Sequence, residues 1–166
     1  MTQTPAELDD TDRRLLGVLH RTADAVAVAL AGVDDWGPSG LRDGQYAADL
    51  AADAAALSVL ESAGLAVLSE ESGVTGSGGL VAIVDPLDGS TNASRGVPWF
   101  ATSVCVVDDE GPRVALVANQ GALVGGGGVR YWAVRGAGAW QDDSPLVPSV
   151  CASLDDALVG LSGLPP

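Results

Sequence analysis

The amino-acid sequence predicts an α+β domain built in layers, with two long helices lying on one face of a mainly antiparallel sheet. Three observations carry that reading. The first sixty or so residues hold two stretches of helical period, the middle holds two short apolar runs that each end in acid, and the stretch after residue 100 alternates β-favouring runs with turn residues. At 166 residues the chain is close to the size of one domain and long enough to bury a core without disulfides or metal staples. The whole of 1–166 is therefore expected to form a single domain.

The first helix follows the capping residues Asp9, Asp10 and Thr11, after which Leu16, Leu19, Ala23, Val26 and Leu30 recur at helical spacing until Gly32. A Gly/Pro/Ser-rich loop over 33–44 separates it from a second helix over 45–62 that stops at Gly64. Tyr46, Leu50, Leu57 and Leu60 share one side of that helix, and Asp53 falls inside the same stripe, which places a carboxylate on the buried face. Residues 65–68 form a short strand that delivers Ser69, Glu70, Glu71 and Ser72 to its end. A loop with Gly73, Gly76, Gly78 and Gly79 leads to a second strand over 80–84 that stops at Asp85. Strands over 101–107, 113–120 and 129–135 then form an antiparallel meander, with a flexible hairpin tip at 125–128. The last segment, 153–166, begins a short helix or strand and ends on two prolines.

Apolar residues make up 47% of the chain and charged ones 18%, which excludes intrinsic disorder. The net charge is −14, and all eight cations are arginines. Such a surface repels nucleic acid and anionic lipid, so the natural small partners are cations or anions chelated by cations. No apolar run approaches the roughly 18 residues of a membrane span, and the N-terminus is acidic rather than a basic leader. A soluble, cytoplasmic protein is expected. Cys105 and Cys151 lack metal-ligand spacing, and Cys105 reads as a buried free thiol in a strand. His20 stands alone on its helix and reads as structural.

The informative stretch is Asp85-Pro86-Leu87-Asp88-Gly89-Ser90-Thr91-Asn92 at the end of an apolar strand. Alone, an Asp-Pro-x-Asp-Gly turn is usually an ordinary surface turn. Here Pro86 starts a turn that can aim both aspartates and the Leu87 carbonyl at one spot, Gly89 admits a ligand close to the backbone, and residues 90–92 can open a short helix with free amides. Glu70 or Glu71 from the neighbouring strand end can reach the same place, and so can Asp53 from the helix. Carboxylates gathered so closely repel one another or take up protons unless a cation intervenes. An all-oxygen donor set suits Mg²⁺ or Ca²⁺ rather than zinc. Asp85 and Asp88 are three positions apart, which argues against the two-residue spacing of phosphatases that form an aspartyl phosphate.

The run Glu70-Glu71-Ser72, the motif at 85–92, then Gly96, Pro98 and Phe100, and the later Tyr131, Ala133, Gly136, Gly138 and Ala139 together resemble the inositol monophosphatase family, Mg²⁺-dependent and lithium-sensitive phosphomonoesterases. The resemblance extends over about 46–140 and implies a layered, sugar-phosphatase-like α/β sandwich. It implies that Glu71, Asp85 and the Leu87 carbonyl hold a first Mg²⁺ and that Asp85 and Asp88 share in a second, with two or three ions in a complete site. Catalytic roles would fall to Glu71, to Ser90, whose hydroxyl helps Glu71 orient the attacking water, and to Asp53, which would hydrogen-bond that hydroxyl. The amides of Gly89 and Ser90 would receive the phosphate. The implied reaction is hydrolysis of a small phosphate monoester, inositol monophosphate first, with sugar phosphate, histidinol phosphate or a 3'(2'),5'-bisphosphate nucleotide as other substrate classes.

The sequence also departs from the family. Gln45 and Leu50 stand in the neighbourhood of the family's Lys and Thr, and Ser69 replaces a common Gly. The family has a second domain with a Trp-Asp-x-Ala-type motif, whereas Trp36, Trp99, Trp132 and Trp140 are followed here by Gly37, Phe100, Ala133 and Gln141. The chain is thus expected to represent the first domain alone, truncated, with weak affinity for a second ion and low turnover. The alternative is a non-catalytic metal-binding fragment or subunit that docks to a partner through the apolar tail Leu158, Val159, Leu161 and Leu164, a homodimer being one such arrangement.

Overall fold

A computed structural model describes residues 8–123 and 128–159; of Ala122 and Leu123 it describes the backbone. Helix α1 (Asp10–Ala31) is followed by α2 (Ala47–Ser62), β1 (Ala66–Ser69), β2 (Gly73–Thr75) and β3 (Val81–Asp88). The short α3 (Ser90–Ser94) leads to β4 (Ala101–Asp108), β5 (Gly111–Asn119) and α4 (Gln120–Leu123), and then β6 (Arg130–Val134), β7 (Gly138–Gln141) and β8 (Ser144–Pro145). The last described element is a 3₁₀ turn, Leu154–Asp156. The strands form one eight-stranded sheet in the order β2-β1-β3-β4-β5-β6-β7-β8. Among the described residues only β1 and β3 pair in parallel, because the chain runs back along β2 on one side of β1 before β3 starts on the other; every other neighbour is antiparallel. The expected architecture is the one found.

Helix α1 starts where Asp9 accepts a hydrogen bond from the Asp12 N–H at 2.7 Å, one of the donors a helix start leaves free. Its apolar stripe, Leu15, Leu19, Ala23 and Val26, is fully buried and packs on β4 and β5, while α2 packs on α1 and β3. The sheet answers with Val84, Val104, Val106, Val114 and Leu116 on its inner face. Burial of side chains of this size contributes roughly 1.5–3 kcal/mol each, so this layer is the main source of stability. The opposite sheet face carries Leu68, Ile83, Val117 and Tyr131, all partly open to water.

The buried face of α2 keeps Asp53 and Leu60 of the expected stripe but not Leu50. Ala48, Ala52 and Ala56 face inward together with Asp49, Asp53 and Leu60, whereas Leu50 is 36% exposed. A side chain the size of alanine lets α2 lie close to both α1 and the sheet, so small residues mark most of the contact, with Leu60 buried beside them and Leu57 packed against the core. Three further differences are local. Strand β2 occupies part of the expected glycine loop, β7 and β8 extend the meander, and β3 continues past Asp85. His20 is not alone, since its Nδ1 lies 3.0 Å from an Arg130 guanidinium nitrogen. The hairpin tip expected at 125–128 and the tail residues Leu161 and Leu164 fall wholly or mostly outside the described residues, whereas Leu158 and Val159 are exposed. Among the described residues, no helix is long and apolar enough to cross a membrane.

Candidate functional site

The acidic motif lies on a flaw in the sheet. Asp85 pairs with Ser103 and Asp88 with Ala101, so β3 spends one residue more than β4 between those two points. Pro86, without an N–H, cannot continue the ladder there, and a bulge is the result. The bulge is held from within: the Asp85 carboxylate accepts from the Leu87 N–H at 3.1 Å, and the Thr102 hydroxyl donates to the Pro86 carbonyl at 2.9 Å. Gln120 in turn donates to Thr102 Oγ1 at 2.8 Å and to the Ala23 carbonyl of α1 at 3.1 Å. Thr102 and Gln120 are buried, so the Thr102 hydroxyl and the Gln120 amide nitrogen are paired where an unpaired group would be costly, while Gln120 Oε1 is buried without a partner among the described residues. Neither residue announces itself in the sequence.

Gly89 follows in the left-handed region, at φ 86° and ψ 31°, and ends β3 while capping α3. A side chain there would also meet the Trp99 carbonyl at 3.0 Å and the Phe100 side chain at 3.3 Å. Both constraints select glycine. Ser90 then begins α3 at the rim of a polar cleft of about 380 Å³.

The cleft is lined by Glu70 and Glu71 from the turn after β1, Asp85, Leu87, Asp88 and Gly89 from the bulge, Ser90 from α3, Asp49 from α2, and Arg42 and Asp43 from the preceding loop. Glu71, Asp85, Leu87, Asp88, Gly89 and Ser90 are therefore brought to one place. Asp53 is not among them. It is buried, and its carboxylate accepts from the Ser69 hydroxyl at 2.5 Å, while Ser69 Oγ accepts from the Glu71 N–H at 3.2 Å. Asp53 thus supports the turn that carries Glu71 from beneath, and the partner expected for the Ser90 hydroxyl is Asp49 instead. One turn earlier on α2, Asp49 accepts from the Tyr46 N–H at 2.7 Å and interacts with the Ser90 hydroxyl. The signal for Asp49 was an acid at the third position of a helix, where it can reach back to a free N–H.

The electrostatics are those of crowded acids. Burial, the charge of Glu70 and a hydrogen bond with it, and the charge of Asp88 push the Asp85 carboxyl up to about 7. Burial also raises Asp49, against the lowering effect of the Tyr46 N–H. Such oxygen-only, anionic surroundings are of the kind a hard divalent cation takes. Among the described residues, however, no three His, Cys, Asp or Glu side chains stand close enough to grip one ion as they are. Glu71 is turned to the loop, where its Oε2 receives Arg42 Nη2 at 2.6 Å and Gln45 Nε2 at 2.5 Å. The donors fit a metal in kind, and Glu71 has another cationic partner.

Comparison with known proteins bears on the fold and the family. The chain is 35% identical over 125 residues to a fructose-1,6-bisphosphatase/inositol-1-monophosphatase of Methanothermobacter thermautotrophicus, a match covering 68% of this chain and 44% of that protein. It is 36% identical over 104 residues to a histidinol-phosphatase of Mycobacterium tuberculosis, covering 59% and 38%. The fold superposes on the crystal structure of the extragenic suppressor protein suhB from Bartonella henselae with a TM-score of 0.70 and 25% identity, covering 83% of this chain and 55% of that one. The chain therefore spans about half the length of the relatives it matches. The sequence profile of the inositol monophosphatase family matches residues 24–163, and with that match over most of its length the chain belongs to the inositol monophosphatase family.

Proposed function

We propose that this chain carries the phosphate-handling part of a Mg²⁺-dependent phosphomonoesterase acting on a small phosphate monoester, inositol monophosphate first. Sugar phosphate, histidinol phosphate and 3'(2'),5'-bisphosphate nucleotide are the other substrate classes. The observation that supports it is the convergence of Glu71, Asp85, Asp88 and Ser90, from three chain segments, on one cleft. Mg²⁺ would be held by Glu71, Asp85, the Leu87 carbonyl and Asp88. When bound it supplies charge for the phosphoryl oxygens and lowers the pKa of water. Asp49 accepts from the Ser90 hydroxyl, which leaves a lone pair of that oxygen to accept a hydrogen bond from the attacking water and orient it together with Glu71. The Gly89 and Ser90 amides, at the start of α3, receive phosphate oxygens.

The test is phosphate release from several monoesters with and without Mg²⁺, beside calorimetric titration of Mg²⁺ into the chain and into Glu71→Gln and Asp85→Asn. Binding that both substitutions abolish, with release only in Mg²⁺, is the expected outcome. Neither binding nor release would overturn the reading. A second reading, a non-catalytic subunit that docks to another polypeptide, is favoured by the apolar residues Leu68, Ile83, Val117 and Tyr131 on the outer sheet face. Monomeric scattering at high concentration would count against self-association as the form it takes.

A further inference from the structure

Among the described residues, Arg42 is the only cation lining the acidic cleft, and it sits on the carboxylate most needed there. Its Nη2 lies 2.6 Å from Glu71 Oε2, the same oxygen that receives Gln45 Nε2 at 2.5 Å. A metal ion coordinated by that oxygen needs the lone pairs these two donors now occupy. The two donors are held differently. Gln45 is buried, and its Oε1 accepts from the Ser39 hydroxyl at 2.8 Å, which fixes the amide with its nitrogen toward Glu71. Arg42 has a side chain 52% exposed, against 11% for Glu71, so its guanidinium can leave for water while Glu71 cannot.

The loop that presents Arg42 is built rather than loose. The Ser39 N–H donates to the Gln45 carbonyl at 2.8 Å, the Gln45 N–H to the Arg42 carbonyl at 3.2 Å, and the Ala47 N–H to the Gly37 carbonyl at 3.0 Å, with a bridge between Pro38 and Tyr46. The backbone therefore keeps Arg42 over the cleft even when its side chain has turned away. A half-exposed ion pair of this kind is weak, and a divalent ion with several carboxylates to engage can displace it.

We propose that Arg42 is a built-in competitor for the divalent cation, seated on Glu71 until an ion displaces it, so that the loop over 37–46 sets how tightly the cleft takes up metal. The inference rests on the metal-dependent reading above. It requires no new bond, only the exchange of one cation for another on Glu71 Oε2.

The experiment is titration of Mg²⁺ by calorimetry, and of Mn²⁺ by the loss of its free-ion EPR signal, into the full chain and into Arg42→Ala and Arg42→Met. Both variants are expected to bind about two- to five-fold more tightly than the parent, a gain that shrinks as salt is added. The second variant keeps the length of the side chain in case the first disturbs the loop, and far-UV circular dichroism checks that each is folded. Arg95→Ala removes an arginine outside the cleft and is expected to leave affinity unchanged; an equal gain there would mean that net charge alone is responsible and would overturn the proposal. Unchanged or weaker binding by folded Arg42 variants would overturn it too, while leaving the metal site standing. Should neither parent nor variants take up Mg²⁺ or Mn²⁺, the metal reading of the cleft itself falls and the competition with it.

Discussion

The Thr102 hydroxyl and the Pro86 carbonyl, 2.9 Å apart, join the acidic bulge to the inner face of the sheet. Through Gln120 the same chain reaches the Ala23 carbonyl on α1, so the turn that presents Asp85 and Asp88 is tied to the core on its blind side. The bulge is thus anchored from the core side by its backbone, while its carboxylates face the cleft. The arrangement explains how a strand interrupted by proline can still hold its carboxylates in place.

Thr102→Val keeps the shape of the side chain and removes its hydroxyl. It would leave the Pro86 carbonyl without this donor and the Gln120 amide without one acceptor in a buried setting, at a cost of about 1–3 kcal/mol. Thr22→Val is the control. Thr22 is equally buried, but its hydroxyl donates to the Val18 carbonyl of its own helix at 3.0 Å, and that carbonyl keeps its helical partner. Its loss should cost less than about 1 kcal/mol. Urea unfolding of the two variants compares them, and equal costs would deny the Thr102 network a special role.

The two aspartates of α2 should separate by function. Asp49 lines the cleft, so Asp49→Asn is expected to lower Mg²⁺-dependent phosphate release by about 10²-fold, the scale of a lost proton-handling group. Asp53 lies beneath the turn, bonded to Ser69, so Asp53→Asn should act first on thermal stability. Assays of release and of melting temperature on both variants decide between them. A large loss of release with unchanged melting in Asp53→Asn would return Asp53 to the catalytic role that the family resemblance implied.

That exchange shows where the sequence is legible and where it is not. Helix α1, the meander and the strand-end acids follow from period and turn chemistry, which are local. The placement of Asp85, Asp88 and Gly89 was legible because proline and glycine restrict the backbone wherever they stand. The face of α2 was legible in part: Asp53 and Leu60 are buried as the stripe predicts, but Leu50 is exposed and alanines fill the contact, since periodicity weighs leucine above alanine while close packing against two neighbours favours the smaller residue. Asp53 is buried as expected, but its carboxylate meets Ser69 beneath the turn rather than the cleft. Arg42, Gln45, Thr102 and Gln120 act through partners 16 to 97 positions away, as in the bonds from Arg42 to Glu71, Thr102 to Pro86 and Gln120 to Ala23, and no local pattern encodes such pairs.

The alanine face can be tested directly. Ala52 is fully buried midway along α2, where that helix lies against α1 and β3. Ala52→Leu should force the layers apart and cost about 1–3 kcal/mol, whereas Leu50→Ala, a change at a surface position, should cost less than about 1 kcal/mol. Denaturant melts of the two variants would show the opposite order if the leucine stripe were the true contact face.

The raised Asp85 carboxyl makes the stability of the metal-free chain depend on pH. Its folded pKa of about 7 lies above the ordinary value of 3.8, chiefly because burial and the charge of Glu70 disfavour ionisation. The folded state therefore holds this proton more tightly than the unfolded chain does. The stabilisation is complete below about pH 4 and is lost as pH rises through about 7. A shift of that size corresponds to at most ~4 kcal/mol, and because Asp85 is only half-buried, solvent screening reduces it to about 1–2 kcal/mol. In EDTA, the melting temperature should fall by roughly 3–8 °C between pH 5 and pH 8. Asn at position 85 cannot ionise, so Asp85→Asn should flatten most of that slope, and Asp49, raised in the same direction, supplies the remainder. Saturating Mg²⁺ should reverse the trend, since an ion that takes the ionised carboxylate stabilises the fold most where the proton has already left. A parent chain that melts higher at pH 8 than at pH 5 in EDTA, or an Asn variant with an undiminished slope, would mean that Asp85 is ionised and well solvated in the folded state.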